Sequence, residues 1–411
     1  MSRYEKLAAE YGTPLYVYDV EEVLAAREQL FAQLPEPFEL FFALKANPHP
    51  DLLRALRSGD GRRCRAEISS TGELANALAA GFDGGECLYT GPGKTFGELR
   101  EAMTLGVRMF STDSVTDVQH VGQVAVELGI TAECLLRVNL ATASAGSGIR
   151  MTGTPSQFGF DAEHLPEELP ELLRVDGVTI AGMHLFPLSN TEDEDALIGE
   201  FQNTIAGAAA LSEQLNLPLR YLDIGGGFSV PYGIPGVRAA YPKLRQELEI
   251  ALDRHFPSWR EGAPQLACES GRYLIGASGT LLAGVSNVKV SRGKKFVILD
   301  AGINTFGGMS GLGRLMPVQV ATDDEETVET VSLVGPLCTP GDTFGRAVRV
   351  PDLKPGDVIT IPNVGAYGPT ASLLMFLGRP SPTEVVVRGD EIVSVSRLDH
   401  SRSYDNQAVA R

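Results

Sequence analysis

The stretch Phe38-Glu39-Leu40-Phe41-Phe42-Ala43-Leu44-Lys45-Ala46-Asn47 decides the fold. It is a mostly apolar run of strand length, closed by a lysine and an asparagine, and Pro50 to Arg57 then turns to helical spacing. The same unit recurs along the first two-thirds of the chain. Further strand-like runs lie at Arg63 to Ile68, Cys87 to Thr90, Val107 to Ser111, Cys134 to Asn139, Val178 to Phe186, Arg220 to Ile224 and Gln265 to Glu269. Amphipathic stretches alternate with them, among them Gly72 to Ala80, Thr95 to Leu105, Thr116 to Leu128 and Ala196 to Leu215. Strands alternating with helices imply parallel strands joined by right-handed crossovers. Eight units over roughly 230 residues predict an α/β fold of the (β/α)8 TIM-barrel type. An open doubly wound sheet is the competing reading of the same alternation.

After Gly279 the pattern changes. Leu281 to Val290, Lys295 to Leu299, Val331 to Leu337, Asp357 to Ile361, Glu384 to Val387 and Ile392 to Ser396 are short and rich in valine and isoleucine. Ser291-Arg292-Gly293-Lys294 and Arg388-Gly389-Asp390-Glu391 read as hairpin turns, in which glycine supplies positive φ. This predicts a second, mostly β domain, a barrel or sandwich, made of residues 1–24 and 279–411, beside a barrel of residues 25–278. Pro14 to Tyr18 is strand-like and can pair with that β domain.

Composition narrows the function. Lys and Arg number 35 against 52 Asp and Glu, for a net charge of −17. That balance argues against nucleic acid as a partner, because phosphate binding needs clustered cations. The scattered cysteines (Cys64, Cys87, Cys134, Cys268 and Cys338) show no CxxC spacing, which favours reduced thiols in a cytoplasm. Met1 to Tyr11 has no apolar signal core, and no apolar run is long enough to span a bilayer, so a cytoplasmic protein without membrane contact is expected. The histidines lack ligand spacing such as HxxxH, and no metal is expected.

In such a barrel the active site forms at the C-terminal ends of the strands, where the polar and glycine residues of this chain fall. A desolvated Lys45 would lose pKa and could form a Schiff base; a strand-end lysine snorkelling to solvent gives the same pattern. Gly225-Gly226-Gly227 lets backbone amides approach a phosphate ahead of a helix start, and Arg272 adds a charged donor, although a tight turn and a barrel-end cap account for them equally. Glu269 ends an apolar strand and needs a partner, either a barrel lysine or arginine or a ligand ring N–H⁺. A Schiff-base lysine, a phosphate cradle and a carboxylate for a pyridinium together specify pyridoxal 5′-phosphate.

The chain resembles the alanine-racemase-fold group of pyridoxal-phosphate enzymes, and within it the diaminopimelate/ornithine/arginine decarboxylase family. The resemblance runs from about Pro14 to Val387 and rests on Phe42 to Asn47, Ser70 to Leu74, Gly91 to Thr95, Leu222 to Phe228, Glu269 to Arg272, Asp300 to Gly302, Gly335 to Cys338, Pro355 to Asp357 and Gly365 to Tyr367. It implies that Lys45 holds the cofactor as an internal aldimine and that Glu269 pairs with the pyridine nitrogen. It further implies that Ser189, Gly225, Gly226, Gly227, Gly271, Arg272 and Tyr367 surround the phosphate, with Arg137 and His184 shaping the pocket. A homodimer with shared sites follows from the same resemblance, in which Cys338, the implied proton donor, and Asp342 reach the partner subunit's cofactor.

Several positions depart from the family's pattern. Phe186 stands where a ring-stacking histidine is expected; it can stack but not hydrogen-bond. Leu188 replaces a glycine and Ser270 a proline, and Glu67 stands where an aspartate is common. Diaminopimelate and ornithine enzymes place a carboxylate directly after the cysteine to hold the substrate's distal amine, whereas this chain has Thr339. Asp342 is a candidate substitute, and Arg314 is the candidate for a distal carboxylate. The glycine-rich Phe306 to Gly313 loop leaves room for a bulky substrate. The pattern is similar to family members that act on modified or carrier-tethered amino acids in siderophore or secondary-metabolite pathways. The expectation is decarboxylation of such a small-molecule amino acid, with a carrier protein as possible partner. A diaminopimelate- or ornithine-type decarboxylase is one alternative. A racemase is another, against which Glu269 argues, since racemases of this fold usually pair the ring nitrogen with arginine.

Overall fold

The computed structural model describes residues 2–59, 61–140, 149–150, 156–186, 188–307, 318–320 and 328–403. It divides into two compact units, one of Val20–Pro231 with Gly236–Ala277, the other of Met1–Asp19, Tyr232–Pro235 and Ser278–Arg411.

The first unit is a closed parallel barrel. Its strands, numbered one to eight, are Glu39–Ala43, Arg65–Ile68, Cys87–Tyr89, Met109–Thr112, Ala132–Asn139, Val178–His184, Tyr221–Asp223 and Gln265–Ser270. Each pairs with the next, strand eight pairs back to strand one, and the open-sheet alternative is thereby overturned. Inside, Phe41, Leu88, Leu135, Ala181, Tyr221 and Ala267 pack as one apolar cluster. A fully buried aromatic or aliphatic side chain of this kind is worth about 1.5–3 kcal/mol. The helices begin where the side chains cap them: Ser70 Oγ accepts from Glu73 N, Thr95 Oγ1 from Glu98 N, and Ser114 Oγ from Asp117 N. Trp259 is buried and donates to Asp253 Oδ1, a packing role.

The second unit is mostly sheet. In sheet order its strands are Thr343–Val350, Glu329–Val334, Lys294–Leu299, Gly279–Ser291, Leu15–Asp19, Thr383–Arg388 and Glu391–Arg397, with Val358–Ile361 also on Gly279–Ser291. Leu15–Asp19 enters it as expected, antiparallel to Gly279–Ser291 and parallel to Thr383–Arg388. Both anticipated hairpins form, pairing Ser291 with Lys294 and Arg388 with Glu391; Gly293 and Gly389 have φ of 79° and 54°. Thr343–Val350 escaped the sequence reading because Gly345 and two arginines interrupt its apolar pattern. No helix among the described residues is long and apolar enough to cross a membrane.

Glu384 is buried in this sheet and accepts from Tyr18 Oη at 3.0 Å; burial pushes its carboxyl up to about 7. A carboxyl raised from its unfolded value binds its proton more tightly in the folded state. Its contribution to stability is present below the unfolded pKa and is lost as pH rises through about 7. Urea unfolding should therefore show stability falling by up to about 3 kcal/mol between mildly acidic and neutral pH, and Glu384→Gln should flatten that fall.

Candidate active site

Parallel register places the polar side chains at one end of the barrel. Arg137 of strand five pairs with His184 of strand six, which pairs with Asp223 of strand seven. Asp223 pairs in turn with Ala267 of strand eight, and Glu269 follows two residues on, on the same face. Ala43 pairs with Glu67 across strands one and two, and Lys45 lies two residues past Ala43. A cavity of about 310 Å³ opens here, lined among others by Lys45, Glu67, Lys94, Arg137, His184, Phe186 and Glu269.

Lys45 Nζ donates to Glu67 Oε1 at 3.4 Å and lies 5.8 Å from the centre of the Phe186 ring. Its side chain is 50 % exposed, so the expectation of a desolvated lysine is corrected: strand one ends before Lys45 and delivers the amine to the cavity rim. Glu67 Oε1 also accepts from Thr90 Oγ1 at 2.7 Å. Arg137 stacks over Phe158 and lies 3.9 Å from Asp113, whose Oδ1 accepts from Gly159 N. Lys94 is buried and spoken for, donating to Asp117 Oδ2 at 2.7 Å and Gly91 O at 2.6 Å.

Among the described residues Glu269 forms no ion pair with a lysine or an arginine. His184 Nε2 lies 3.2 Å from its Oε1, close but not aligned for a hydrogen bond, while His184 Nδ1 pairs with Ser111 Oγ at 2.7 Å. Burial, then the charges of Arg137, Lys45 and Lys94, hold the imidazole well below its usual range, so it is neutral. Burial, then Glu67 and Asp223, push the Glu269 carboxyl well above the carboxylate range. Asp223, fully buried, is raised to about 7, by burial first. One atom of each of His184, Asp223 and Glu269 lies within 4.8 Å of the others. Two full charges that far apart repel by about 3.5 kcal/mol at an effective dielectric of about 20.

Beside this cluster runs Gly225-Gly226-Gly227. A methyl on Gly225 would sit 2.5 Å from Leu185 O, and one on Gly226 2.4 Å from Glu269 O. No helix starts there; the next begins at Leu244, so the expected helix N-terminus behind the triplet is corrected to an irregular loop. That loop is tied to the segment holding Ser189, since Thr191 N donates to Gly227 O at 2.7 Å. Gly271 closes strand eight, its α-carbon facing Ala46 and Ala43, and Arg272 opens the short helix that follows.

The other anticipated residues belong to the sheet unit. Cys338 is exposed and Thr339 half-buried. Tyr367 takes a left-handed backbone, φ 52°, which bulky residues rarely adopt and which marks local strain. Asp342 is corrected: it is 3 % exposed, and its oxygens accept from Ile303 N at 2.8 Å and Leu337 N at 2.7 Å. It braces two loops from within and presents little surface to a substrate. Arg314 and residues 308–313 of the glycine-rich loop lie outside the described residues. Asp223, Lys94 and Ser111 were given no role by the sequence reading. Asp223 alone had a signal, a carboxylate in the apolar Tyr221-Leu222-Asp223-Ile224.

These features fit pyridoxal phosphate: buried Glu269 Oε1 and His184 Nε2 without a hydrogen bond among the described residues, an amine across the same cavity, and a loop kept clear of side chains. Residues 20–276 match the family model described as pyridoxal-dependent decarboxylase, pyridoxal binding domain. The chain is 30 % identical to the L-glutamyl-[BtrI acyl-carrier protein] decarboxylase of Niallia circulans, over 95 % of this chain and 92 % of that one. It is 32 % identical to the diaminopimelate decarboxylase of Archaeoglobus fulgidus, over 94 % and 90 %. The crystal structure of Helicobacter pylori diaminopimelate decarboxylase complexed with L-lysine superposes with a TM-score of 0.81 at 28 % identity, covering 96 % of this chain and 95 % of that one. The chain belongs to the pyridoxal-dependent decarboxylase family and is a pyridoxal-phosphate-dependent amino-acid decarboxylase.

Proposed function

We propose that this enzyme decarboxylates an amino acid whose distal end carries no free ammonium, an acylated or carrier-tethered amino acid. The observation that carries this reading is the segment Cys338 to Asp342. Thr339 is neutral, and the one acid of the segment, Asp342, has both oxygens committed to backbone amides. A charge-assisted bond to a distal ammonium, about 1.5–3 kcal/mol, has no donor–acceptor partner there. The Niallia circulans relative, named for a glutamyl group on an acyl-carrier protein, supports the same class.

In this reading Lys45 is the amine that binds the cofactor's aldehyde. Glu269 faces the pyridine nitrogen. Gly225 to Gly227, Gly271, Arg272 and Ser189 hold the phosphate. Once bound, the cofactor supplies a protonated ring that accepts the electron pair released as CO₂ departs. Glu67 steadies the Lys45 amine at the rim. Phe186 offers an apolar face beside that amine and cannot divert a proton. Neutral His184, fixed by Ser111, leaves the positive charge to the ring that Glu269 faces. Cys338, an exposed thiol, protonates the carbon that lost CO₂, in the partner subunit's site of a homodimer.

Mass-resolved CO₂ release from full-length enzyme with pyridoxal phosphate tests the substrate class. A γ-L-glutamyl thioester of pantetheine should turn over with kcat/KM about 10- to 100-fold above meso-diaminopimelate and ornithine, the difference a lost charged contact makes; equal or better use of the free diamino acids would refute the reading. Thr339→Glu should raise kcat/KM for the free diamino acids by about 10- to 100-fold. Lys45→Ala should lose the borohydride-fixed cofactor adduct, read by peptide mass.

A further inference from the structure

We infer that Asp223, to which the reading above gives no role, is a positioning residue: it keeps a proton on Oδ2 and so leaves Glu269 as the single anion of the pair on the barrel floor. The geometry comes first. Asp223 Oδ1 accepts from Gly225 N at 2.8 Å, while Oδ2 is buried without a partner, as are Glu269 Oε1 and His184 Nε2 nearby. Three neighbouring strands in parallel register bring these groups together. Two anions held so close in a dry site repel, and one proton relieves them.

The surroundings decide which carboxyl keeps it. Glu269 lines the cavity with Lys45 and Arg137, and a ring N–H⁺ facing it favours its ionised form. Asp223 does not line the cavity. It faces Glu67, Glu39, the Tyr221 phenol and the Cys268 thiol, with neutral His184 beside it and Arg137 as the facing cation. An uncharged Asp223 can still accept from Gly225, tying the glycine loop to strand seven without competing with Glu269 for positive charge. Its pKa is raised to about 7, so the acid form is kept below that pH and lost as pH rises through it.

Both the placing of the proton on Asp223 rather than Glu269 and its functional consequence rest on the reading that Glu269 faces the ring nitrogen. Isotope-edited infrared spectroscopy of full-length holoenzyme on the acid side of neutrality tests the protonation. A protonated-carboxyl band that shifts with ¹³C-aspartate, not with ¹³C-glutamate, and that vanishes in Asp223→Asn is expected. Absence of such an aspartate band, or its survival in Asp223→Asn, overturns the inference. Cofactor affinity supplies the second readout: Asp223→Asn, neutral and still able to accept from Gly225, should bind pyridoxal phosphate within about 3-fold of wild type, and Asp223→Ala at least about 10-fold more weakly. Equal weakening by both overturns it. If Glu269→Gln leaves cofactor affinity and absorbance unchanged, the ring-nitrogen reading fails by itself, while the infrared band still reports on Asp223.

Discussion

Charge confined to a dry barrel end is the constraint on which the site depends. Parallel register sets Arg137, His184 and Asp223 level with one another, with Glu269 one step beyond, and burial then forbids all of them from being ionised together. Each neighbour settles the state of the next. Ser111 fixes the imidazole, burial and then nearby cations keep it neutral, and among the described residues no lysine or arginine pairs with Glu269, which is left in need of a positive partner. In the proposed reading a protonated pyridine ring meets that need. The glycine loop serves the same end, because side chains at Gly225 or Gly226 would push into the strand ends that hold this cluster in place.

The sheet unit contributes a different kind of rigidity. Asp342 links Ile303 and Leu337 by two backbone hydrogen bonds and so shapes the turn that displays Cys338 and Thr339. A buried acid that holds a loop in this way is poorly placed to read a substrate. In the proposed reading, specificity comes from a missing charge rather than an added one: removing a carboxylate partner lowers affinity for an ammonium and removes the cost of leaving that carboxylate unpaired beside a neutral group.

Much of this was legible in the residues. All eight barrel strands were marked by apolar runs, and the lysine, glutamate and glycine triplet fell at their ends, since β/α alternation leaves a strong period change at each unit. What stayed hidden depends on side-chain direction. Asp342 carries the same letter whether it faces a substrate or two backbone amides. Lys45 reads as buried because its strand is, although the strand stops two residues short of it. Lys94 and Ser111 act through partners that are distant in sequence, Asp117 and His184, which no local pattern records.

The most direct measurement is the ¹⁵N chemical shift of ring-labelled pyridoxal phosphate bound to the enzyme. The account predicts a protonated pyridine nitrogen in the wild type that reverts to the neutral shift in Glu269→Gln. A neutral nitrogen in the wild type, or a protonated one unaffected by the substitution, would contradict it.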